Sequence, residues 1–497
     1  MSYDFASERS VTFLRAAAQA LQDEVARLRA ENAELRSLLG EQESASAEEN
    51  AAVRHLLEKR EQELFGRSSE RRAPATKPEK PPRKPQHGHG PHDQTGVASE
   101  TVPHELPEDQ RICKQCGGTL EPMGDEAEES ELITVEERFF VIQKHRRAKY
   151  RCRCNACVVT APGPVRLTPG GRYSPAFAVE VAVGKYADHL PLDRQAAIMR
   201  REGLQVAPQT LWDQLDVLAR LLAPTYEAII DRALSVPVIG CDETWWLLLD
   251  NGKTKENKTF QTWAIVNEDL VAYRILDSRS KQAASTLLGD FAGVVMADGY
   301  TVYRSLAEET QRFVVANCWA HVRRKFVECE KNFPDEAGFA IARIRDLYAI
   351  ERQIQEGQLK AAKARDKQSR SIVDQLFTWT RAQLERTLPR SGLAAAMNYM
   401  INLEPGLRRF LDDPRIPIDN NGSERALRSV VVGRKNHYGS RSRRGTEVAA
   451  ILYTLMECAK LAGISPKAYL LAVCEKALRQ PEAVLLPGDY AATVRGP

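Results

Sequence analysis

The stretch VPVIGCDETWWLL at residues 236–248 decides the fold, because it begins as an apolar run and then sets two acids side by side. A short apolar run with β-branched residues predicts a buried strand. A carboxylate inside such a strand is costly unless a cation neutralises it. Successive side chains on a strand point to opposite faces, so Asp242 and Glu243 cannot both serve one site.

The residues that follow predict an alternation of strands and helices. TFQTWAIVN and LVAYRIL are typical of two further strands, KQAASTLLGDF of a helix, and GVVMADGY of an apolar strand that ends on Asp298. RFVVANCWAH predicts another strand, which leads into the helix HVRRKFVECE. Three strands, helix, strand, helix, strand, with acids on the first and fourth strands, is the ribonuclease-H-like order. We therefore expect a multidomain α/β protein with a catalytic core of that type.

Three acids in this core form a candidate metal site. If the first and fourth strands are neighbours, Asp242 and Asp298 converge on a pair of ions about 4 Å apart. The alternative is that the two aspartates are only salt-bridged or cap helices. A third acid, Glu424, lies in IDNNGSERALRSVVVGRKNHYGSRSRRG, near the start of a predicted helix after an Asn-Asn-Gly turn. Carboxylates of this kind suit Mg²⁺, which takes few protein ligands beside water and phosphate oxygens.

A basic run follows the third acid. Residues 425–444 contain seven Lys or Arg residues and no acid. A charge run alone is more often a solvated face, but one that directly follows a metal-binding carboxylate suits a site that grips a phosphate backbone.

The N-terminal segment repeats every seven residues. Leu14, Leu21, Leu28 and Leu35 share one heptad position, and Asn32 occupies the other apolar position. A buried Asn there favours a parallel dimer, so we predict dimerisation through a coiled coil; an amphipathic helix packed on a core is the alternative. The segment from residue 73 to 107, rich in Pro, Lys and His, reads as a linker.

Five of the ten cysteines lie between Cys113 and Cys157. Two Cys-x-x-Cys pairs about forty residues apart suit a tetrahedral zinc site, with disulfides or buried thiols as the alternative. We predict four zinc ligands, with Cys152 as an alternate: Cys113, Cys116, Cys154 and Cys157.

Beyond this module, two helices are predicted around the break at Glu202-Gly203, the second from Pro208 to Leu222. They are equally consistent with a helix-turn-helix that reads DNA and with plain packing.

The motifs together resemble the insertion-sequence transposases of the IS-sixty-six type, over about residues 10–480. They are Gly-Cys-Asp242-Glu-Thr, Ala-Asp298-Gly-Tyr, Cys318-Trp-Ala-His321 and Asp419-Asn-Asn-Gly-Ser-Glu424, continued by Gly433-Arg-Lys-Asn. Trp245 and Trp246 depart from the smaller or polar residues expected after the first acid.

The resemblance implies a DNA transposase that cleaves and joins DNA strands by a two-metal mechanism. Its catalytic and Mg²⁺- or Mn²⁺-binding residues would be Asp242, Asp298 and Glu424, and a zinc finger would bind Zn²⁺. The partners implied are DNA, as terminal inverted repeats and target, a second copy of the chain, and small companion proteins. The basic residues would hold the flanking strand, and His321 would contact phosphate or only order the site. The DNA-binding candidates are Arg425, Arg428, Arg434, Lys435, Arg441, Arg443, Arg444 and His321.

Two other functions fit parts of the pattern: an inactive DNA-binding regulator, and a structure-specific nuclease without strand transfer. No apolar stretch approaches the length of about 20 residues that a membrane helix needs, so we expect a cytoplasmic protein. The predicted domains, in chain order, are a coiled coil at 10–65, a linker at 66–108, a zinc module at 109–165, a helical, possible DNA-binding region at 172–232, a catalytic domain at 236–334 and 413–445 split by a helical insertion at 335–412, and a C-terminal helical segment at 446–485.

Overall fold

The computed structural model describes residues 26, 27, 30, 140–151, 158–249 and 258–495. The predicted linker, the first cysteine pair, residues 152–157 and nearly all of the predicted coiled coil lie outside the described residues. Among the described helices, none combines the length and the apolar character that crossing a membrane requires.

The described chain begins with a small hairpin and three helices. Strands β1 (Lys149–Arg151) and β2 (Val158–Thr160) pair antiparallel. Helices α1 (Pro175–Tyr186), α2 (Leu192–Arg201) and α3 (Pro208–Leu234) follow. Helix α3 does not end at Leu222 as the sequence predicts, and it continues through Pro224. Buried side chains recur at helical spacing as far as Ala233, so packing outweighs the cost of the internal proline.

A mixed five-stranded sheet forms the centre of the molecule, which confirms the mixed α/β class. Its strands are β3 (Val238–Leu248), β4 (Lys258–Val266), β5 (Val271–Leu276), β6 (Gly293–Ala297) and β7 (Phe313–Asn317). They lie in the order β5-β4-β3-β6-β7. The pairs β3–β4 and β4–β5 are antiparallel, whereas β3–β6 and β6–β7 are parallel. Helices α4 (Lys281–Leu288) and α5 (Thr301–Thr310) connect the later strands.

Apolar cores lie on both faces of this sheet. Val295 and Ala297 of β6 enter the core that includes α3, whereas Val294 and Met296 enter the core of the helices that follow β7. Alternate residues of one strand therefore serve different cores, which is why GVVMA is apolar throughout.

Helices fill the chain between β7 and the third acid. They are α6 (Trp319–Cys329), α7 (Pro334–Gln355), α8 (Ala361–Ala364), α9 (Arg370–Leu384), α10 (Gly392–Asn402) and α11 (Glu404–Arg408). A π-helical turn, Arg365–Ser369, joins α8 to α9. The last helices are α12 (Asn421–His437), α13 (Arg443–Leu461), α14 (Pro466–Arg479) and α15 (Pro487–Arg495).

Candidate active site

The register of the two central parallel strands brings two acids together. The last paired residues of β3 and β6 are Gly240 and Met296. Asp242 and Asp298 each lie two residues beyond that pair, so they stand opposite each other where β6 ends. Asp298 Oδ1 accepts from the main-chain N of Tyr300 at 2.8 Å, which fixes the carboxylate at the start of the connection to α5. Two acids from separate strands therefore share one edge of the sheet.

Asp242 is in a strongly perturbed environment. Burial, and then the nearby carboxylates of Glu243, Asp298 and Glu424, raise its pKa to about 7, although its Oδ1 accepts from the main-chain N of Glu243. Glu243 lies on the opposite face of β3. Its carboxylate accepts hydrogen bonds from Arg279 Nε at 2.8 Å and from Tyr303 Oη at 3.1 Å. Glu243 is therefore neutralised by a cation of the protein, whereas Asp242 has no such partner among the described residues.

Glu424 reaches the same region from the first turn of α12. The sequence predicts an Asn-Asn-Gly turn before this helix, but the helix already begins at Asn421. The main-chain O of residue 420 accepts its first main-chain hydrogen bonds, so Asn421 and Gly422 belong to the first turn of the helix. His321 Nε2 and Arg324 Nη2 each lie 3.4 Å from one oxygen of the Glu424 carboxylate. Burial lowers the pKa of His321.

A glycine allows α12 to approach β3 so closely. A Cβ at Gly240 would collide with Ser423 Oγ and with Asn420 Oδ1. Asn420 Nδ2 donates to the main-chain O of Cys241 at 2.8 Å, and Ser423 Oγ donates to Asn420 Oδ1 at 2.6 Å. These bonds fasten the start of α12 one residue from Asp242, and so they set the position of Glu424.

The start of α6 is tied to the same segment. The main-chain N of Asn420 donates to Cys318 Sγ at 3.2 Å, and the main-chain N of Trp319 donates to Ile418 O at 3.1 Å. One helical turn further along α6, His321 meets Glu424. The motif Cys318-Trp-Ala-His321 thus contacts the third acid's segment at both of its ends.

The carboxylate oxygens suit a hard divalent cation, but the side chains are not arranged as a complete metal-binding site. Glu424 Oε1 is buried without a hydrogen-bond partner in the described part of the chain. Across the described residues, however, no three His, Cys, Asp or Glu side chains stand close enough together to hold an ion as they are. The Asp242 carboxylate, which has no cationic partner among the described residues, fits a cation in chemistry, and binding by Glu424 would require it to turn away from Arg324.

The basic residues fall into two groups. Exposed positions on one face of α12 or just beyond it are Arg425, Arg428, Lys435 and Arg441. Three others are engaged within the protein: Arg434 with Trp245, Arg443 with Asp277 at 3.4 Å, and Arg444 with Asp216 at 2.6 Å and Glu447 at 2.8 Å.

The exposed face of helix α3 carries charges of both signs. Its exposed charged residues are Asp213, Arg220, Glu227, Asp231 and Arg232, while its buried positions pack along the core. The helix-turn-helix interpretation therefore stays a prediction.

Comparison with known proteins identifies the family. The profile described as "Transposase IS66 family" matches residues 170–448, more than half of the chain. The chain belongs to the IS66 family of transposases. The zinc-finger binding domain of the same transposases matches residues 110–155. This confirms the resemblance drawn from the motifs.

Relatives of similar length extend over most of the chain. The uncharacterized protein y4jD of Sinorhizobium fredii is 34% identical over 386 residues, which cover 74% of this chain and 75% of that protein. The uncharacterized proteins y4qI and y4hP of the same organism are 31% and 30% identical, covering 80% and 77% of this chain and 75% and 74% of their own lengths.

Several positioning residues were not predicted as part of the site. Gly240, Asn420 and Ser423 all lie inside quoted motifs, and Arg324 follows His321 by one helical turn. The signal for Arg324 was its helical spacing from His321. For Asn420 and Ser423 the signal was their place within the four residues before Glu424.

Proposed function

We propose that this IS66-family chain is a DDE-type transposase that cuts the ends of an insertion sequence and joins them to target DNA. The observation that carries the proposal is the register of β3 against β6, which sets Asp242 opposite Asp298. The strand order β5-β4-β3-β6-β7, antiparallel in its first part and parallel in its second, is the reason for proposing a ribonuclease-H-like core.

We infer that Asp242, Asp298 and Glu424 hold Mg²⁺ or Mn²⁺. The bound ions would supply Lewis-acid activation of the attacking hydroxyl and neutralise charge at the scissile phosphate. Asp242 would be the central member of the site, because its carboxylate is within electrostatic reach of both other acids. The protein's own contribution is positioning, which is the main requirement in phosphoryl transfer.

His321 and Arg324 have a second role in this proposal. They hold Glu424 through contacts of 3.4 Å each. If Glu424 turned to an ion, the planar donors of the Arg324 guanidinium would suit a phosphate oxygen of the DNA. His321 stays beside the acid and orders its carboxylate.

The DNA backbone would follow the outward face of α12. Arg425, Arg428 and Lys435 recur at spacings of three and seven residues, so they lie along one side of the helix, next to Glu424. This order leads a phosphate chain from the acids toward the end of α12. Arg441 extends the same basic surface.

The decisive experiment is cleavage and joining of DNA that carries the element's own inverted repeats, identified in the DNA flanking the gene. With Mg²⁺, the full-length chain should release and join strands, and Asp242→Asn, Asp298→Asn and Glu424→Gln should each abolish both steps while DNA binding persists. Asp290→Asn is the matched control, because that carboxylate is fully exposed. If Asp242→Asn cut DNA at the normal rate, Asp242 would not belong to the proposed catalytic triad of Asp242, Asp298 and Glu424.

The same gel assay separates the other functions. Cut ends without joined products would support a nuclease that hydrolyses only. Binding without any cleavage at any metal concentration would support a DNA-binding regulator. Adding small proteins encoded beside the gene tests whether companions are required.

The zinc module is proposed to use Cys113, Cys116, Cys154 and Cys157. The zinc-finger match contains Cys152 and Cys154 and ends two residues before Cys157. Cys152 therefore stays the alternate ligand. Zinc content of Cys152→Ser and Cys157→Ser separates the two sets, because only loss of a true ligand should release the metal.

We also infer that the chain works as a homodimer joined through the heptads of residues 10–40. The repeat of leucines with Asn32 among them supports the inference. Two copies would bring two DNA ends together. Sedimentation at micromolar concentration tests it, and a stable monomer there would contradict it.

A further inference from the structure

Two neighbouring tryptophans on β3 have different environments. Trp246 is fully buried and donates from its indole to Ser440 Oγ at 3.2 Å. Trp245 instead leaves 48% of its surface exposed. It follows Asp242 by three residues, which is about 10 Å along a strand, so its side chain leaves β3 on the face opposite to that of Asp242.

Arg434 fixes the indole of Trp245. Its guanidinium carbon lies 3.5 Å from the ring centre, and the same group donates to Thr244 Oγ1 at 3.0 Å and to the main-chain O of Trp245. Arg434 is itself buried, and burial lowers its pKa. Leaving an indole in water and burying a guanidinium both oppose folding, so the stability of the core does not account for the pair.

The pair lies at a part of the β3 edge that no described strand pairs with. β4 pairs with one edge of β3 along its whole paired length, while β6 pairs with the other only as far as Gly240. That second edge is next covered by Ser440, whose main-chain N donates to Leu247 O at 3.0 Å. Trp245 lies between these two points.

A second exposed ring belongs to the same edge. Tyr438, two residues before Ser440, is 68% exposed. Gly439 between them passes so close to Leu247 that a Cβ there would collide with its main-chain O. Two aromatic side chains therefore stand in solvent beside the edge that carries the proposed active site.

We propose that Trp245, backed by Arg434 and accompanied by Tyr438, is a stacking platform for an unpaired nucleobase of the DNA end. The inference rests on the proposed function. Trp245 lies about 10 Å along β3 from Asp242 and on the opposite face, so this base would stand across the strand edge from the phosphate at the acids.

Nucleic acid is the occupant because of the charge around the platform. The nearby outward face of α12 carries Arg425, Arg428 and Lys435, which favour a polyanion. The base must be unpaired, because a base inside a duplex already has both faces stacked. Stacking on an aromatic ring accepts any base, and a guanidinium behind the ring adds cation–π attraction.

The test compares two labelled DNA hairpins that differ only in their overhang, thymidines in one and abasic sites in the other. Fluorescence anisotropy with the full-length chain, without added magnesium, should show about five- to hundredfold tighter binding of the thymidine overhang. Trp245→Ala should abolish this preference and leave the affinity for a blunt hairpin unchanged. Trp245→Phe should keep part of it.

Val432→Ala is the matched control, because that apolar side chain is 40% exposed on α12 and should not affect the preference. If Trp245→Ala does not fold, Trp245→Leu replaces it, since leucine keeps apolar bulk without an aromatic face. A preference that survives loss of the ring overturns the proposal. So does an equal loss of affinity for both hairpins, or a change in self-association alone, which would mean that a second copy covers the ring.

The result is independent of the cleavage assay. If the variants of the three acids still cut DNA while Trp245→Ala loses the overhang preference, the result supports the stacking platform and contradicts the catalytic triad. If the triad variants lose cleavage but the preference never appears, the platform falls and the proposed function stands.

Discussion

A buried arginine in the helical insertion offers the sharpest test of how the site is supported. Arg365 lies in the π-helical turn and is 4% exposed. Its guanidinium meets the Glu351 carboxylate through bonds of 2.8 Å and 2.7 Å. The remaining donor group bonds three main-chain oxygens, those of Phe410, Asp413 and Ile416, at 2.9, 3.2 and 3.0 Å.

Arg365→Met should therefore be severely destabilising. It leaves the Glu351 carboxylate buried and unpaired, which costs about 3–5 kcal/mol, and it leaves three carbonyl oxygens without this donor. At about 2–4 °C per kcal/mol for a unit of this size, the melting temperature should fall by about 6–20 °C. Replacing Glu351 by Leu as well should restore part of the loss, because no charge then remains buried alone.

Arg370→Met is the matched control. Arg370 stands one helical turn away and pairs with Asp366 at 3.2 Å and Asp412 at 2.8 Å, but these pairs are exposed. Surface pairs contribute about 0–1 kcal/mol each, so its melting temperature should change little. Equal melting temperatures for the two variants, measured by calorimetry or circular dichroism, would refute this account of the insertion.

Three further outcomes are expected. Burial lowers the pKa of His437 to about 3, so as the pH falls the unfolded chain binds the proton before the folded chain does. The free energy of unfolding should therefore fall by about 1.4 kcal/mol per pH unit between about pH 6.5 and pH 3. His437→Gln should remove this slope when melting is measured as a function of pH. Burial and the neighbouring carboxylates raise the pKa of Asp242 to about 7, so magnesium must displace a proton to bind there. The magnesium affinity of the protein, measured by calorimetry, should therefore drop about tenfold from pH 8 to pH 6. A magnesium affinity that does not change with pH would contradict this. Arg428→Ala and Lys435→Ala should each reduce the salt dependence of DNA binding by about one unit of slope, whereas Arg444→Ala, whose guanidinium meets two carboxylates, should not.

Much of the sheet could be predicted from the sequence, because each strand carries its own pattern. GVVMA is apolar at every position and is buried on both faces, and Asp298 comes directly after it. The end of a parallel strand is an edge where the chain must turn, so an acid there is expected to be accessible. Helix α3 was predicted too short, because the cost of Pro224 is local whereas the packing that overcomes it comes from distant elements.

The use of each basic residue could not be predicted from its local sequence. Arg434 meets the main chain 189 residues earlier, and Arg444 meets Asp216, which is 228 residues away. Nothing in the pattern RALRSVVVGRKNHYGSRSRRG at residues 425–445 distinguishes these two from Arg428 or Lys435. A charge run gives the sign of a surface, but only tertiary partners decide which guanidinium groups face solvent.

The helices between β7 and α12 are connected by hydrogen bonds to the candidate active site, which gives the long gap between Asp298 and Glu424 a physical meaning. The oxygens held by Arg365 belong to the segment that leads into α12. That segment is next tied to α6 at Ile418 and Asn420, and then to β3 through Asn420. Glu424 lies one helical turn later, so its place depends on contacts made along the whole path. We therefore predict that the position of Glu424 depends on the folding of the helices that precede α12.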